Sequence, residues 1–204
     1  MGNKKQETID TYNKNAEGLA RKFNTIGSRE VYIKKGLSYV KNKNPKVVEL
    51  GCGNGKDAEV ILKYTNDYLG IDVSEGMIRL AKANLPQADF MVADIEEFEF
   101  PDKIDIIFSF ASLLHFDKKS IIEILDRAHN SLDDNGIFYI SVKHDKYHEK
   151  VKVDEFGSRV FYYYTEKDIR DMTDDKYEML EIEEEKIKGV NWLQIILRKN
   201  KYGK

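Results

Sequence analysis

A single cysteine, Cys52, stands in the 204-residue chain. No disulfide can form within it, and a reducing compartment, the cytoplasm, is expected. No apolar run approaches the roughly 18 residues that a membrane span needs, so no membrane partner is expected. The opening residues, MGNKKQETIDTYNK, lack the apolar stretch of a secretory signal. Gly2 invites a lipidation reading, but Gln6 stands where that motif requires Ser or Thr. Neither sign of charge dominates: 33 Lys and Arg meet 36 Asp and Glu, for a net charge of −3. The basic residues are interleaved with acidic ones, which argues against a dedicated nucleic-acid surface. Repeats, low-complexity tracts and linkers are also missing, so 1–204 reads as one domain.

What is there alternates. Ile9, Tyr12, Ala16, Leu19, Ala20 and Phe23 have helical spacing, which predicts a helix from Glu7 to Phe23. A second helix is expected from Ser28 to Lys41. Pro45 stops it and opens the short strand KVVEL. Then come a helix from about Gly55 to Tyr64, the strand DYLGID, a helix capped by Ser74 that ends before Pro86, and the strands DFMVAD and KIDIIFSF. Asp117 can cap the next helix, and Asn135-Gly136 turns into the strand IFYISVK. Thr165 and Asp168 open a short helix. YEMLEIEEEKI and NWLQIILRK read as two strands joined near Lys188-Gly189. Alternating strand and helix implies an α/β fold with a mostly parallel sheet, and the last two strands an antiparallel edge.

Three glycines follow the first strand, in the order Glu49-x-Gly51-x-Gly53-x-Gly55. Glycines between a first strand and a helix let backbone approach a ligand. The dinucleotide fingerprint needs a third glycine where Lys56 stands, and no Walker loop fits either. Four further stretches lie in order behind the glycines. They are YLGIDVS with Asp72, FMVADIEEF with Asp94, DIIFSFASLLHF from Asp105 to Phe116, and LDDNGIFYISVK. Together, across 45–143, the five resemble the motifs of the class I S-adenosylmethionine-dependent methyltransferases. Asp134-Asn135-Gly136 departs from the family's usual Pro-Gly-Gly turn.

The resemblance implies a Rossmann-like, doubly wound, seven-stranded sheet. It divides the chain into an N-terminal helical cap (1–44), a cofactor core (45–143), and a substrate loop with C-terminal strands (144–204). It implies S-adenosylmethionine as cofactor and S-adenosylhomocysteine as product. Glu49 would order the glycine loop, and Gly51, Cys52, Gly53 and Gly55 would border the methionine part. Asp72, followed by Val73, would accept from both ribose hydroxyls. Met77 would pack on adenine, while Asp94 and the Ile95 amide would read its edge. Phe110 and Ala111 belong to the same wall. Each has a plainer reading: Asp72 and Asp94 as turn or cap residues, Met77 as core. Cys52 is read as a small loop residue rather than a nucleophile.

Methyl transfer depends mainly on proximity and alignment, and on a base only when the acceptor carries a proton. His115, after the fourth strand, is the base candidate; its alternative is to pack beneath the next helix. Tyr12 could reach the methionine part or the acceptor, or serve as a core aromatic. Arg159, Tyr162, Tyr163 and Tyr164 follow the fifth strand, where this family often builds its acceptor pocket. Extended alternation would put Tyr162 and Tyr164 on one side. Arg159 suits a carboxylate or phosphate, and Lys143 could reach the site or be solvated. His144, His148 and Glu149 lack a convincing third ligand geometry, so no metal is expected. The expected activity is methyl transfer to O, N or S of a small-molecule acceptor. The alternatives are an RNA or protein acceptor, a nicotinamide oxidoreductase on a similar fold, or a non-catalytic binding module. The oligomeric state is left open.

Overall fold

The structure, a computed structural model, describes residues 2–27, 29–173 and 175–200. Its centre is a seven-stranded sheet in the order β3-β2-β1-β4-β5-β9-β8. Strands β1 (Lys46–Leu50), β2 (Asp67–Asp72), β3 (Asp89–Val92) and β4 (Ile104–Phe110) are parallel, as is β5 (Leu132–Lys143) to β4. β9 (Val190–Lys199) runs antiparallel between β5 and β8 (Tyr177–Ile187). The expected seven-stranded sheet with an antiparallel edge is therefore present.

Both faces are covered, which explains the apolar runs of β1, β4 and β5. Helices α3 (Glu30–Leu37), α4 (Ala58–Ile61) and α5 (Glu75–Asn84) supply Ile33, Ile61 and Ile78 to one core. Helices α6 (Lys118–Ser131) and α7 (Glu166–Thr173) supply Ile124, Leu125 and Ile169 to the other. Ser74 and Asp117 cap α5 and α6, accepting from the amides of Met77 and Ser120.

Four expected elements differ in detail. The helix expected from Glu7 to Phe23 is two, α1 (Gly2–Lys14) and α2 (Ala16–Asn24). They part at Asn15, whose side-chain amide donates to Thr11 O at 3.3 Å and Phe156 O at 2.6 Å, a local competition that weakens helix. The next helix starts at Glu30, and Ser28 lies outside the described residues. Helix α4 is only four residues long; Gly55, at φ 79°, holds the chain out of helix ahead of it. Asn135 and Gly136 lie inside β5 rather than ahead of it. Asn135 takes φ 67°, and the β4–β5 register shifts nearby, between Ile104 and Ile106.

One hairpin was not expected as such: β6 (His148–Asp154) and β7 (Gly157–Tyr163) pair outside the main sheet. Helix α1 is bound to it by side chain to backbone. Thr8 Oγ1 accepts from Val160 N at 3.0 Å, and Thr11 Oγ1 donates to Ser158 O at 2.8 Å. Helix and hairpin thus lie over the carboxyl ends of the parallel strands.

Candidate active site

A cavity of about 1050 Å³ opens where β1, β2, β4 and β5 end, the edge at which doubly wound sheets bind ligands. The glycine loop forms its floor. Gly51 N and Cys52 N both donate to Ile71 O, at 2.8 and 2.9 Å. Gly51 and Gly53 take φ 73° and 54°, in the left-handed region. A Cβ at Gly51 would lie 2.4 Å from Ser112 Cβ, whereas one at Gly53 would meet nothing within 4 Å. Gly53 therefore presents bare backbone to open space. Ser112 is fixed by donating to Leu50 O at 2.6 Å. Ala111 beside it takes φ 58°, a conformation costing roughly 1–3 kcal/mol in a residue with a Cβ.

Asp72 faces this loop and grips it. Its carboxylate accepts from Gly53 N at 3.0 Å and Ser74 N at 2.9 Å. Burial pushes its pKa up, against those two amides. Each oxygen keeps acceptor capacity beyond its one amide. The turn reading of Asp72 and its place in the cavity wall are both seen. Asn13 of α1 reaches across: its Oδ1 accepts from Ser74 Oγ at 2.9 Å.

Met77 is 1% exposed, lines the cavity, and packs with Ala16 and Leu19. Val73, Ile95 and Phe110 also face the space. Asp94 turns β3 toward Glu96, accepting its amide at 3.0 Å, and its other oxygen meets Lys5 Nζ at 2.5 Å. Cys52 lines the cavity, but burial raises its thiol pKa well above the usual range, which suits a packed thiol. Glu49 sits behind the loop, not in the cavity wall. Its carboxylate accepts from Tyr68 OH at 2.6 Å, and burial and the nearby Asp57 push its pKa up. Asp57 is itself paired with Arg29.

The same cavity also gathers Tyr12, His115, Lys143, Arg159 and Tyr162. His115 Nδ1 lies 2.5 Å from Val160 O, and its Nε2 lies 3.0 Å from Tyr12 OH. The carbonyl can only accept, so Nδ1 carries the proton and Tyr12 donates to Nε2. Burial lowers the His115 pKa to about 4 and raises that of Tyr12 to about 12. Arg159 donates to Asp154 Oδ2 at 2.5 Å. Lys143 Nζ stands 3.5 Å from the centre of the Phe161 ring. Tyr162 OH donates to Glu149 at 3.0 Å.

Two of the three tyrosines stand apart from the cavity. Tyr163 stacks on His148 at 4.5 Å between ring centres. Tyr164 is wholly buried, with its hydroxyl on Phe116 O. Strand β7 ends at Tyr163, and Tyr164 enters a lone bridge with His144, so simple alternation fails there. Lys5, Arg29 and Ser112, which no motif singles out, also stand in the cavity wall, as does Trp192, whose sequence reading is packing of the last strand. A usable signal for the α1 roof is the polar pair Thr8 and Thr11 at helical spacing, with Asn15 just past the helix end.

A family model described as "Methyltransferase domain" matches residues 47–136, the strands and loops that build this floor. The chain is 31% identical over 153 residues to malonyl-[acyl-carrier protein] O-methyltransferase 2 of Ilyobacter polytropus, covering 70% of this chain and 58% of that one. It is 36% identical over 80 residues to trans-aconitate 2-methyltransferase of an Acidovorax species, covering 38% and 31%. The chain thus spans at most 58% of the length of these two relatives. Among solved structures, 1,6-didemethyltoxoflavin-N1-methyltransferase of Burkholderia thailandensis superposes with a TM-score of 0.72 at 16% identity, covering 94% of this chain and 87% of that one. Magnesium protoporphyrin IX methyltransferase of Synechocystis superposes with a TM-score of 0.74 at 15% identity, covering 96% and 100%. Residues 47–136 thus match a methyltransferase domain, and the chain has the fold of S-adenosylmethionine-dependent methyltransferases.

Proposed function

We propose that this chain transfers a methyl group from S-adenosylmethionine to an O, N or S atom of a small-molecule acceptor. The observation that carries this is one cavity lined both by the glycine loop and Asp72 and by Tyr12, His115, Lys143 and Arg159. The residues fit the cofactor. Gly53 leaves room that a side chain would fill, Asp72 retains acceptor sites for a diol, and Met77 and Phe110 offer apolar faces for adenine. When bound, S-adenosylmethionine supplies a methyl already activated by its sulfonium.

The chain's own contribution is alignment and exclusion of water. Helix α1 and the β6–β7 hairpin roof the space, which favours a small acceptor over RNA or protein. His115 is neutral near pH 7, held by Val160 O and Tyr12 OH. With basicity lowered to a pKa of about 4, it is a weak proton sink. The site is therefore read as working chiefly by proximity, worth up to ~7–11 kcal/mol. The lone buried thiol suits a cytoplasmic setting.

The rival nicotinamide reading is disfavoured by Lys56. It occupies the third-glycine place and donates to Phe23 O at 3.1 Å and to Gly27 O, tying the loop to the end of α2. Calorimetric titration with adenosylhomocysteine, adenosylmethionine and NAD in parallel tests the choice. Binding of both adenosyl ligands without NAD is expected, and tight NAD binding with neither adenosyl ligand bound overturns the proposal.

A further inference from the structure

The cavity wall carries two cations, Lys143 and Arg159, that the chain neutralises only in part. Arg159 is 4% exposed and lines the cavity, yet its Nε has no hydrogen-bond partner. Its one ion-pair partner, Asp154, is shared with Lys152 at 3.3 Å and Lys22 at 3.6 Å. Lys22 also has Glu155 at 3.5 Å, so Asp154 is left to balance both Arg159 and Lys152. Lys143 sits over the Phe161 ring, and among the described residues no carboxylate lies within ion-pair distance of it. Its charged neighbours Lys152, Arg159 and Lys150 share its sign. With burial as the larger cause, they bring its pKa down to about 8.

The acids of the same cavity are occupied. Glu149 takes Lys4 at 2.5 Å and the Tyr162 hydroxyl. Asp94 takes Lys5, and Asp72 takes two backbone amides. The imbalance is thus local to Lys143 and Arg159.

We propose that Lys143 and Arg159 form an anion subsite, and that the acceptor is a carboxylic acid bound there as its carboxylate with its apolar body against Phe161 and Tyr162. That the bound acid is an acceptor rests on the methyl-transfer reading above. A carboxylate suits the donors better than a phosphate does. One free guanidinium N–H and one ammonium supply two charged donors for a carboxylate's two oxygens, whereas a phosphate brings three strong acceptors and up to two charges.

The test uses benzoate, its uncharged isostere benzamide, and phenyl phosphate, each titrated into the full chain saturated with adenosylhomocysteine. Benzoate should bind about tenfold or more tighter than benzamide, the effect of one charged hydrogen bond. Lys143→Met should remove most of that preference while adenosylhomocysteine binds as before. Arg159→Gln should do the same, with its melting temperature recorded because Arg159 is buried; Lys143→Met carries the test if that variant fails to fold. By NMR, the Lys143 ammonium should titrate at higher pH with benzoate bound and not with benzamide. Equal binding of benzoate and benzamide overturns the subsite, and tighter binding of phenyl phosphate overturns the carboxylate assignment. Failure of adenosylhomocysteine to bind would instead sink the methyl-transfer reading, and the benzoate comparison on the free chain would still decide the subsite.

Discussion

Replacing His115 by Gln should change how the fold responds to acid. The imidazole is held neutral, with its pKa lowered from 6.5 to about 4 by burial, opposed by the Val160 carbonyl and reinforced by Lys143 and Arg159. A group whose pKa is depressed on folding adds stability that is fully present above its unfolded pKa. That stability is lost as pH falls through the folded value. For His115 the window runs from about pH 6.5 down to about pH 4, and the whole contribution is on the order of 3 kcal/mol. Between about pH 7.5 and about pH 5.5 the linkage relation gives a loss of about 1.3 kcal/mol. For a chain of this length that corresponds to roughly 3–5 °C in melting temperature. His115→Gln cannot take up the proton, so its melting temperature should fall less over the same interval, by that difference. Thermal melts of the two proteins in matched buffers measure it, and other titrating groups cancel in the subtraction. Parallel curves would refute the buried, neutral histidine. They would also restore His115 as a base titrating in its ordinary range.

The remaining predictions concern the loop and the tyrosines. Asp72→Asn presents an amide where two backbone N–H groups now meet a carboxylate; it should lower the melting temperature by roughly 3–12 °C and weaken adenosylhomocysteine in calorimetry, and wild-type values in both would remove Asp72 from the site. Gly51→Ala drives a Cβ into Ser112 at positive φ and should cost about 2–5 kcal/mol in chemical denaturation. Gly53→Ala meets no atom of the chain, so its larger effect should fall on the adenosylhomocysteine dissociation constant. Tyr164→Phe leaves the Phe116 carbonyl without its donor, costing about 1–3 kcal/mol of stability with cofactor affinity intact; Tyr162→Phe, whose partner Glu149 keeps Lys4, should barely move the melting temperature.

Legibility followed how much of each element's physics is local. Strands such as KVVEL and KIDIIFSF are buried on both faces, so their apolar runs announce them. Ser74 and Asp117 cap helices because their side chains satisfy amides three residues on. The β6–β7 hairpin was hidden because its partners are distant or wet. Val151 and Val153 point to solvent, and Thr8 and Thr11 of α1 satisfy its backbone. The glycine loop was legible, since its positive φ values demand glycine. The Tyr12–His115–Val160 chain was not, because it joins three segments that no spacing rule connects. Tyr164 misled for the same reason: strand alternation holds only while the strand lasts.

The insertion of β9 between β5 and β8 makes β9 the bridge by which β8 joins the sheet. Strand β8 leaves the ribosome first but has no place in the sheet until β9 arrives to pair with both neighbours. Until then β5 offers an open edge that includes Ile137, Phe138 and Ile140, a row of unpaired backbone groups that other chains can capture. The antiparallel pair thus closes the β5 edge of the core. Substitutions that hinder its docking, such as a charge at Ile195, should betray themselves as aggregation during expression, before any ligand is ever offered.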